Sequence, residues 1–380
     1  MASPPDTDIH YLGLMSGTSM DGVDAALVRF GDHHCDVVHT HKQPYPEALR
    51  SALRDAAQNP ETLTVDRLGS MDHWVADCFS GAAQAVITGS NIDPALIRAI
   101  GSHGQTVRHQ PHADRPFTLQ VGDPNRIAAT TGITTVADFR RRDLALGGEG
   151  APLAPAFHQW LFATNNDNRV VLNLGGIANV TVLAEESSAT IGFDTGPANT
   201  LLDAWINDSQ SKAFDDGGKW AKSGEVIQPL LQTMLSDSYF TAEPPKSTGF
   251  EHFNLSWIRR VIESCNLPTP PAANDVQATL AELTAQSVAD DIRRHAADTS
   301  TVMVCGGGVH NEYLLSRLQD KMPQISISST ATFGLDPDCV EAAAFAWLAM
   351  QTLQQHPGNL PSVTGASRPA VLGGVFLGTS

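Results

Sequence analysis

The sequence predicts an α/β protein built from two related domains, and three observations carry that expectation. The chain has 380 residues, whereas a single hydrophobic core rarely grows past roughly 250–300. Strand-like apolar runs alternate with longer helical patterns. A hairpin with a glycine-rich turn opens the chain, and a second one opens near residue 170. Two such units would leave a cleft between them, and small-molecule sites favour such interfaces.

The first hairpin reads Tyr11-Leu12-Gly13-Leu14-Met15-Ser16-Gly17-Thr18-Ser19-Met20-Asp21-Gly22-Val23-Asp24-Ala25-Ala26-Leu27-Val28. Two runs rich in strand formers flank a turn of Ser, Gly, Thr and Asp. Glycine lets the backbone bend and approach a ligand, while Thr18 and Ser19 add hydroxyls and successive amides that can cradle a phosphate. Asp21 and Asp24 could position a hydrated Mg2+. An ordinary polar surface turn has the same local pattern. Helical segments follow over Glu47 to Asn59 and Val65 to Gly89, and then a short strand runs into Gly101-Ser102-His103-Gly104-Gln105-Thr106. Within Thr130 to Ala154, the stretch Gly147-Gly148-Glu149-Gly150-Ala151-Pro152 breaks regular structure, and it is the expected link between the halves, as a hinge or as a plain loop.

The second hairpin, Val170 to Val182, turns at Gly175 and Gly176. Next comes Ile191-Gly192-Phe193-Asp194-Thr195-Gly196-Pro197-Ala198-Asn199, ahead of a helical pattern from Thr200 to Ile206. An aspartate at the end of an apolar strand, beside glycines and before a helix N-terminus, can act as a base near a bound phosphate. Asp194 is therefore the best base candidate, although a turn or helix-capping aspartate fits the local spacing equally well. Thr279 to Ala297 is apolar at helical intervals, with Leu280, Leu283, Val288 and Ile292 expected to face inward. Finally, Val302-Met303-Val304-Cys305 leads into Gly306-Gly307-Gly308, where a planar base or a phosphate could lie against bare backbone. Neither a dinucleotide fingerprint nor a Walker-type Lys-Ser/Thr ending accompanies any of these turns.

Composition narrows the function classes. A formal charge of −17 argues against a general nucleic-acid surface, which needs clustered Lys and Arg, and Arg140, Arg141 and Arg142 form the one notable basic cluster. An anionic nucleotide must then be held locally, by backbone amides and a metal. Met1 to Asp8 has neither the basic segment nor the apolar core of a secretory signal, and no run approaches the ~18–20 apolar residues of a membrane span. Cys35, Cys78, Cys265, Cys305 and Cys339 are scattered and odd in number, which favours a reducing cytoplasm. His33, His34, His39 and His41 lack metal-ligand spacing.

Taken as an ordered set, the two glycine hairpins, the Asp-Thr-Gly turn and the triple-glycine turn resemble the actin, hexokinase and heat-shock-chaperone superfamily, whose two related domains close over ATP. Within it, Gly17 to Asp24 resembles the signature of the 1,6-anhydro-N-acetylmuramic acid kinase family. The resemblance continues through Gly101 to Thr106, Gly122-Asp123-Pro124-Asn125, Ala137-Asp138-Phe139-Arg140, Leu172 to Asn179, Gly192 to Pro197, Lys246-Ser247-Thr248-Gly249, Cys305 to Gly308 and Glu341 to Trp347, nearly the whole chain.

The resemblance implies an N-terminal domain over 9–135, a C-terminal domain over 136–360, and a segment 361–380 that returns to the first. It also implies a cytoplasmic, Mg2+-dependent, ATP-consuming sugar kinase of peptidoglycan recycling, with anhydro-N-acetylmuramic acid as substrate, no nucleic-acid or membrane partner, and room for a homodimer. ATP would be bound by Gly17, Thr18, Ser19, Met20, Asp21, Gly22, Val23 and Asp24, by Gly175 and Gly176, and by Gly306, Gly307 and Gly308. His103, Gln105, Thr106, Asp138 and Arg140 would contact the sugar. Asp194 would be the base, assisted by Glu341. The chain departs from the family pattern at Glu149, Ala198 and Phe250, where Gln, Gly and Arg are expected. The superfamily also admits an ATP-gated chaperone or scaffold and a phosphoanhydride hydrolase.

Overall fold

The computed structural model describes residues 8–164 and 168–379; residues 1–7 of the segment read for a secretory signal lie outside them. Its strands are β1 (His10–Met15), β2 (Gly22–Gly31), β3 (His34–Pro44), β4 (Ile97–Ser102), β5 (Gln105–Gln110), β6 (Phe117–Val121), β7 (Thr135–Ala137), β8 (Arg169–Leu174), β9 (Ile177–Val182), β10 (Ile191–Pro197), β11 (Thr301–Cys305), β12 (Ser326–Ser329) and β13 (Gly374–Phe376). They form a six-stranded sheet in the order β13-β7-β4-β1-β2-β3, a five-stranded sheet in the order β10-β9-β8-β11-β12, and the separate pair β5-β6.

The two larger sheets share one plan. In each, three strands form an antiparallel meander whose first member, β1 or β8, lies parallel to a fourth strand, β4 or β11. That fourth strand is in turn parallel to a fifth, β7 or β12. Such parallel steps require long crossovers, which the helices Val65–Ser90, Ala273–His295 and their neighbours supply.

The chain divides into two compact units, residues 1–161 with 334–380, and residues 162–333. The sequence-based boundaries at 135/136 and 360/361 fall inside the first unit instead. Strand pairing explains the difference: β7 joins β4 on one side and β13 on the other, so residues just past 135 complete the first sheet. The helix Val340–Leu353 is held there by bare glycine. A Cβ at Gly13 of β1 would stand 1.7 Å from the Ala342 carbonyl oxygen, and one at Gly101 of β4 would stand 1.9 Å from that of Phe345.

The expected link at Gly147 to Pro152 is also corrected, because that stretch lies inside the first unit. Asp143, fully buried, accepts from Gly150 N, Asn359 Nδ2 and Thr364 Oγ1 at 2.6–2.8 Å, and Glu149 N donates to Thr364 O. A buried carboxylate with three donors fixes the glycine stretch to the C-terminal segment. Composition alone cannot reveal this, since the partners lie more than two hundred residues away.

The first unit's core gathers Leu12, Leu14, Leu27, Leu49, Val75, Phe79 and Ile100. The second unit has two clusters, one under its sheet with Leu172, Val180, Phe193, Val288 and Val304, and one with Leu202, Leu231, Phe253, Trp257 and Leu280. The helix Ala273–His295 contributes to both, with Leu280, Leu283, Val288 and Ile292 buried. Among the described residues no helix is long and apolar enough to cross a membrane, and no two of the five cysteines are joined in a disulfide.

Candidate active site

In the first unit the turn between β1 and β2 is ordered by its own hydroxyls and by β5. Ser16 Oγ, with one proton to donate, lies within hydrogen-bond reach of Gly22 O at 2.6 Å and Gln105 Oε1 at 2.7 Å, while Gln105 Nε2 donates to Gly17 O at 3.1 Å. Met20 takes a positive φ of 51°, and its N–H closes the turn onto Gly17 O. A Cβ at Gly17 would meet nothing within 4 Å, so that face of the backbone is open to a ligand. Ser19 Oγ donates to Asp21 Oδ1. Lys42, on β3, lies 3.4 Å from Asp21 and 3.5 Å from Asp24. Sequence reading passed over Lys42 because nothing local ties it to the hairpin; register does, since Asp24 pairs with Lys42 across β2 and β3.

His103 and Arg140 form one unit. Arg140 Nε and Nη2 both donate to His103 Nε2, at 3.1 and 2.9 Å, and Nη1 donates to Gly150 O at 2.8 Å. With Nε2 accepting, Nδ1 carries the proton and donates to Ser16 O at 3.2 Å. Burial and the neighbouring guanidinium hold the imidazole pKa well below its usual value, so it stays neutral. Arg140 itself is pushed down to about 10 by burial, against the pull of Glu341 and Asp143. Thus His103 and Gln105 both brace the turn between β1 and β2, a use their sequence context did not announce.

Thr106 Oγ1 accepts from Gln120 Nε2. Asp138 is exposed, adopts a positive φ of 59°, and lies 3.5 Å from Arg141. A non-glycine residue in this region is strained and is often seen at functional positions. His103 and Asp138 line a cavity of about 230 Å3 in this unit, with Ser102, Gln120, Asp123 and Arg141. Glu341 lies in the first turn of the helix Val340–Leu353, where the positive end of the helix dipole favours an anion. Partial removal from water and the Asp24 carboxylate raise its pKa, and Arg140 opposes them.

The second unit presents Asp194. The register of β10 against β9 shifts between Asp194 and Gly196, and such a bulge re-aims side chains. Gly196 is required there, because its φ is 151° and a Cβ would lie 2.8 Å from the Phe240 ring. Asp194 N donates to Lys246 O, Tyr239 Oη donates to Asp194 O, and Thr248 N donates to Asp194 Oδ2 at 3.0 Å. Oδ1 has no hydrogen bond among the described residues. Burial pushes this carboxyl up to about 7; the Thr248 amide and Lys246 hold it down, and Glu251 adds to the rise. A half-buried carboxylate with one uncommitted oxygen and a pKa raised toward neutrality has the chemistry that a general base needs.

Gly175 and Gly176 lend their carbonyls to Asn199 N, Ala198 N and Thr200 N, seating the helix Asn199–Gln210. Ala198 has a φ of −126°, so alanine in place of glycine brings no positive-φ strain. Gly306 has a φ of 77°, and a Cβ at Gly308 would strike Leu174 Cβ at 2.5 Å, whereas one at Gly307 would meet nothing. Gly307 therefore has the open face. If the triple-glycine turn meets the nucleotide as the family resemblance implies, Gly307→Leu is expected to fold normally while raising the KM for ATP ~10-fold, about 1.4 kcal/mol; steady-state kinetics with a thermal melt checks it. At the other two departures, Glu149 Oε1 lies 3.6 Å from His112, and Phe250 uses its carbonyl to accept from Asn254.

The plan shared by β3-β2-β1-β4-β7 and β10-β9-β8-β11-β12, each copy opened by a glycine-turn hairpin, defines a fold of the actin and hexokinase class. The family model described as anhydro-N-acetylmuramic acid kinase matches residues 9–378. Relatives bearing that name are 51% identical over 368 residues in Xylella fastidiosa, covering 96% of this chain and 95% of the relative, and 50% identical over 369 residues in Shewanella loihica, covering 97% and 99%. Another, from Coxiella burnetii, is 47% identical over 97% of both chains. Among solved structures, a ROK family glucokinase from Streptomyces griseus in complex with glucose and AMPPNP aligns at a TM-score of 0.41 and 14% identity, covering 90% of this chain and 99% of that one. The chain belongs to the anhydro-N-acetylmuramic acid kinase family.

Proposed function

We propose that the chain transfers the γ-phosphoryl group of ATP to 1,6-anhydro-N-acetylmuramic acid while water opens the 1,6-anhydro bridge, yielding N-acetylmuramic acid 6-phosphate and ADP in peptidoglycan recycling. The observation that carries it is Asp194, whose uncommitted Oδ1 and near-neutral pKa suit proton removal from water. A bridging ether oxygen has no proton to remove, so the base must act on water instead. Asp194 takes the proton as water oxygen bonds to the anomeric carbon. The bond from that carbon to the bridge oxygen breaks, and the bridge oxygen captures the phosphoryl group. Glu341 is assigned as the assistant to the base.

Phosphoryl transfer depends chiefly on positioning and charge neutralisation. The hairpin Gly17 to Asp24 is assigned to the phosphates, Gly175 and Gly176 to the same nucleotide, and Gly306 to Gly308 to adenosine. His103, Gln105, Thr106, Asp138 and Arg140 are assigned to the sugar. No group of three or more His, Cys, Asp or Glu able to hold a metal occurs among the described residues. The Asp21 and Asp24 carboxylates, 3.4 and 3.5 Å from Lys42, are a two-oxygen-donor set of the kind that suits a Mg2+ arriving on the nucleotide and keeping most of its waters. Asp21 and Asp24 would hold it, and bound there it would neutralise phosphate charge.

The test is a coupled ADP assay with Mg-ATP and equal subsaturating anhydro-N-acetylmuramic acid, N-acetylmuramic acid and glucose. The anhydro sugar is expected to give the highest kcat/KM, since it alone supplies a bridge oxygen that becomes nucleophilic as water attacks. Comparable values for glucose would reject the assignment.

A further inference from the structure

The second unit contains a buried ion pair that the reaction as written does not use. The Lys246 and Asp291 side chains are only 4% and 2% exposed, and the ammonium lies 2.9 Å from Asp291 Oδ2 and donates to Oδ1 at 3.3 Å. Taking both charges out of water is expensive, and apolar replacements of similar volume are often neutral or stabilising. Stability alone therefore gives no reason for the pair, but its place does.

Lys246 begins the segment that supplies two of the backbone groups on Asp194. Its carbonyl accepts from Asp194 N at 3.1 Å, and Thr248 N, two residues on, donates to the Asp194 carboxylate. The ammonium also faces the rings of Phe193 and Tyr239, at 5.7 and 5.2 Å. Phe193 precedes Asp194 in β10, and the Tyr239 hydroxyl donates to the Asp194 carbonyl at 2.7 Å. Asp291 stands on the core helix Ala273–His295. One carboxylate on a rigid helix thus anchors the cation around which three contacts to Asp194 are arranged. We infer that Asp291, acting through Lys246, is a positioning residue for Asp194. The inference rests on Asp194 being the base.

The charged and titratable groups around Asp194 are Lys246, Glu251 and the Tyr239 hydroxyl; those around Asp291 are Lys246, Arg294 at 3.2 Å, His295 and the Tyr239 hydroxyl. The full chain is assayed for kcat/KM against pH as Asp291→Asn, Lys246→Met, the double variant Lys246→Met with Asp291→Leu, and Asp194→Asn. Asp291→Asn removes the anion that answers Lys246, leaving the cation's field to act on Asp194, so the acid limb moves to lower pH. Misplacement of the base also lowers kcat by ~10-fold or more, with the KM for ATP unchanged. Lys246→Met removes the cation that holds the carboxyl down, so the limb moves to higher pH.

A merely structural pair would not shift the limb in opposite directions. The double variant covers the event that either single variant fails to fold: it restores an apolar core, and the inference expects a folded protein with kcat still low. Unshifted limbs in both single variants, or wild-type kcat in the double, overturns the inference. Near-normal turnover in Asp194→Asn overturns the base reading and this inference with it; an inactive Asp194→Asn beside an unshifted Asp291→Asn overturns this inference alone.

Discussion

Asp194→Asn is expected to reduce turnover by ~10²-fold or more, because general-base assistance commonly contributes ~10²–10⁴-fold, while ATP binding changes little. Asparagine keeps an oxygen that can accept from Thr248 N, so the geometry survives while the basicity is lost. In the wild type, kcat/KM should fall as pH drops below about 7, because Asp194 must be ionised to act and burial holds its carboxyl at about that value. The same shift has a stability consequence of definite sign. A carboxyl whose folded pKa is raised binds its proton more tightly in the folded state, so stability present at low pH is lost as pH rises from the ordinary carboxylate range through about 7. The neutral asparagine variant escapes that loss. Its melting temperature should therefore exceed the wild type's at pH 8, by a margin that shrinks as the pH is lowered.

Gly13→Val is expected to prevent accumulation of folded protein. The Cβ at this position would sit 1.7 Å from a backbone carbonyl oxygen of the helix Val340–Leu353, and no side-chain rotation can relieve a clash between a Cβ and a main chain. The helix would have to leave the sheet, taking Phe345 and Trp347 out of their buried places. Overpacking commonly costs ~1–3 kcal/mol even where side chains can yield, and here the whole helix must yield, against a net stability of only about 5–15 kcal/mol for an ordinary domain. Soluble yield and a urea melt would measure it, and Gly101→Val should behave alike for the same reason. Wild-type yield from both would mean that the helix is not seated on these glycines.

What could be read in the sequence was local. The hairpin turns, the helix around Leu280 to Ile292 and the Asp194 turn each announce themselves through short-range pattern. The partners that make them a site lie far away in the chain. Gln105 braces Ser16 from 89 residues away, and Asp143 binds Thr364 from 221. The glycine stretch 147–150 fits a hinge or a plain loop equally well in sequence, because glycine content reports backbone freedom, whereas one buried carboxylate removes that freedom. Lys42, Tyr239 and Asp291 could not be read as site residues at all, since their side chains acquire meaning only from strand register or from a helix face.

The central claim is that Asp194 directs water to the anomeric carbon of the anhydro sugar while the bridge oxygen receives the phosphoryl group. It is tested most directly by turnover in ¹⁸O-labelled water, quenched early and corrected for non-enzymatic exchange of the anomeric oxygen, with the product fragmented in a mass spectrometer. One labelled oxygen is expected on the anomeric carbon and none in the phosphoryl group or its ester oxygen. Label in the phosphate, or an unlabelled anomeric carbon, would contradict it.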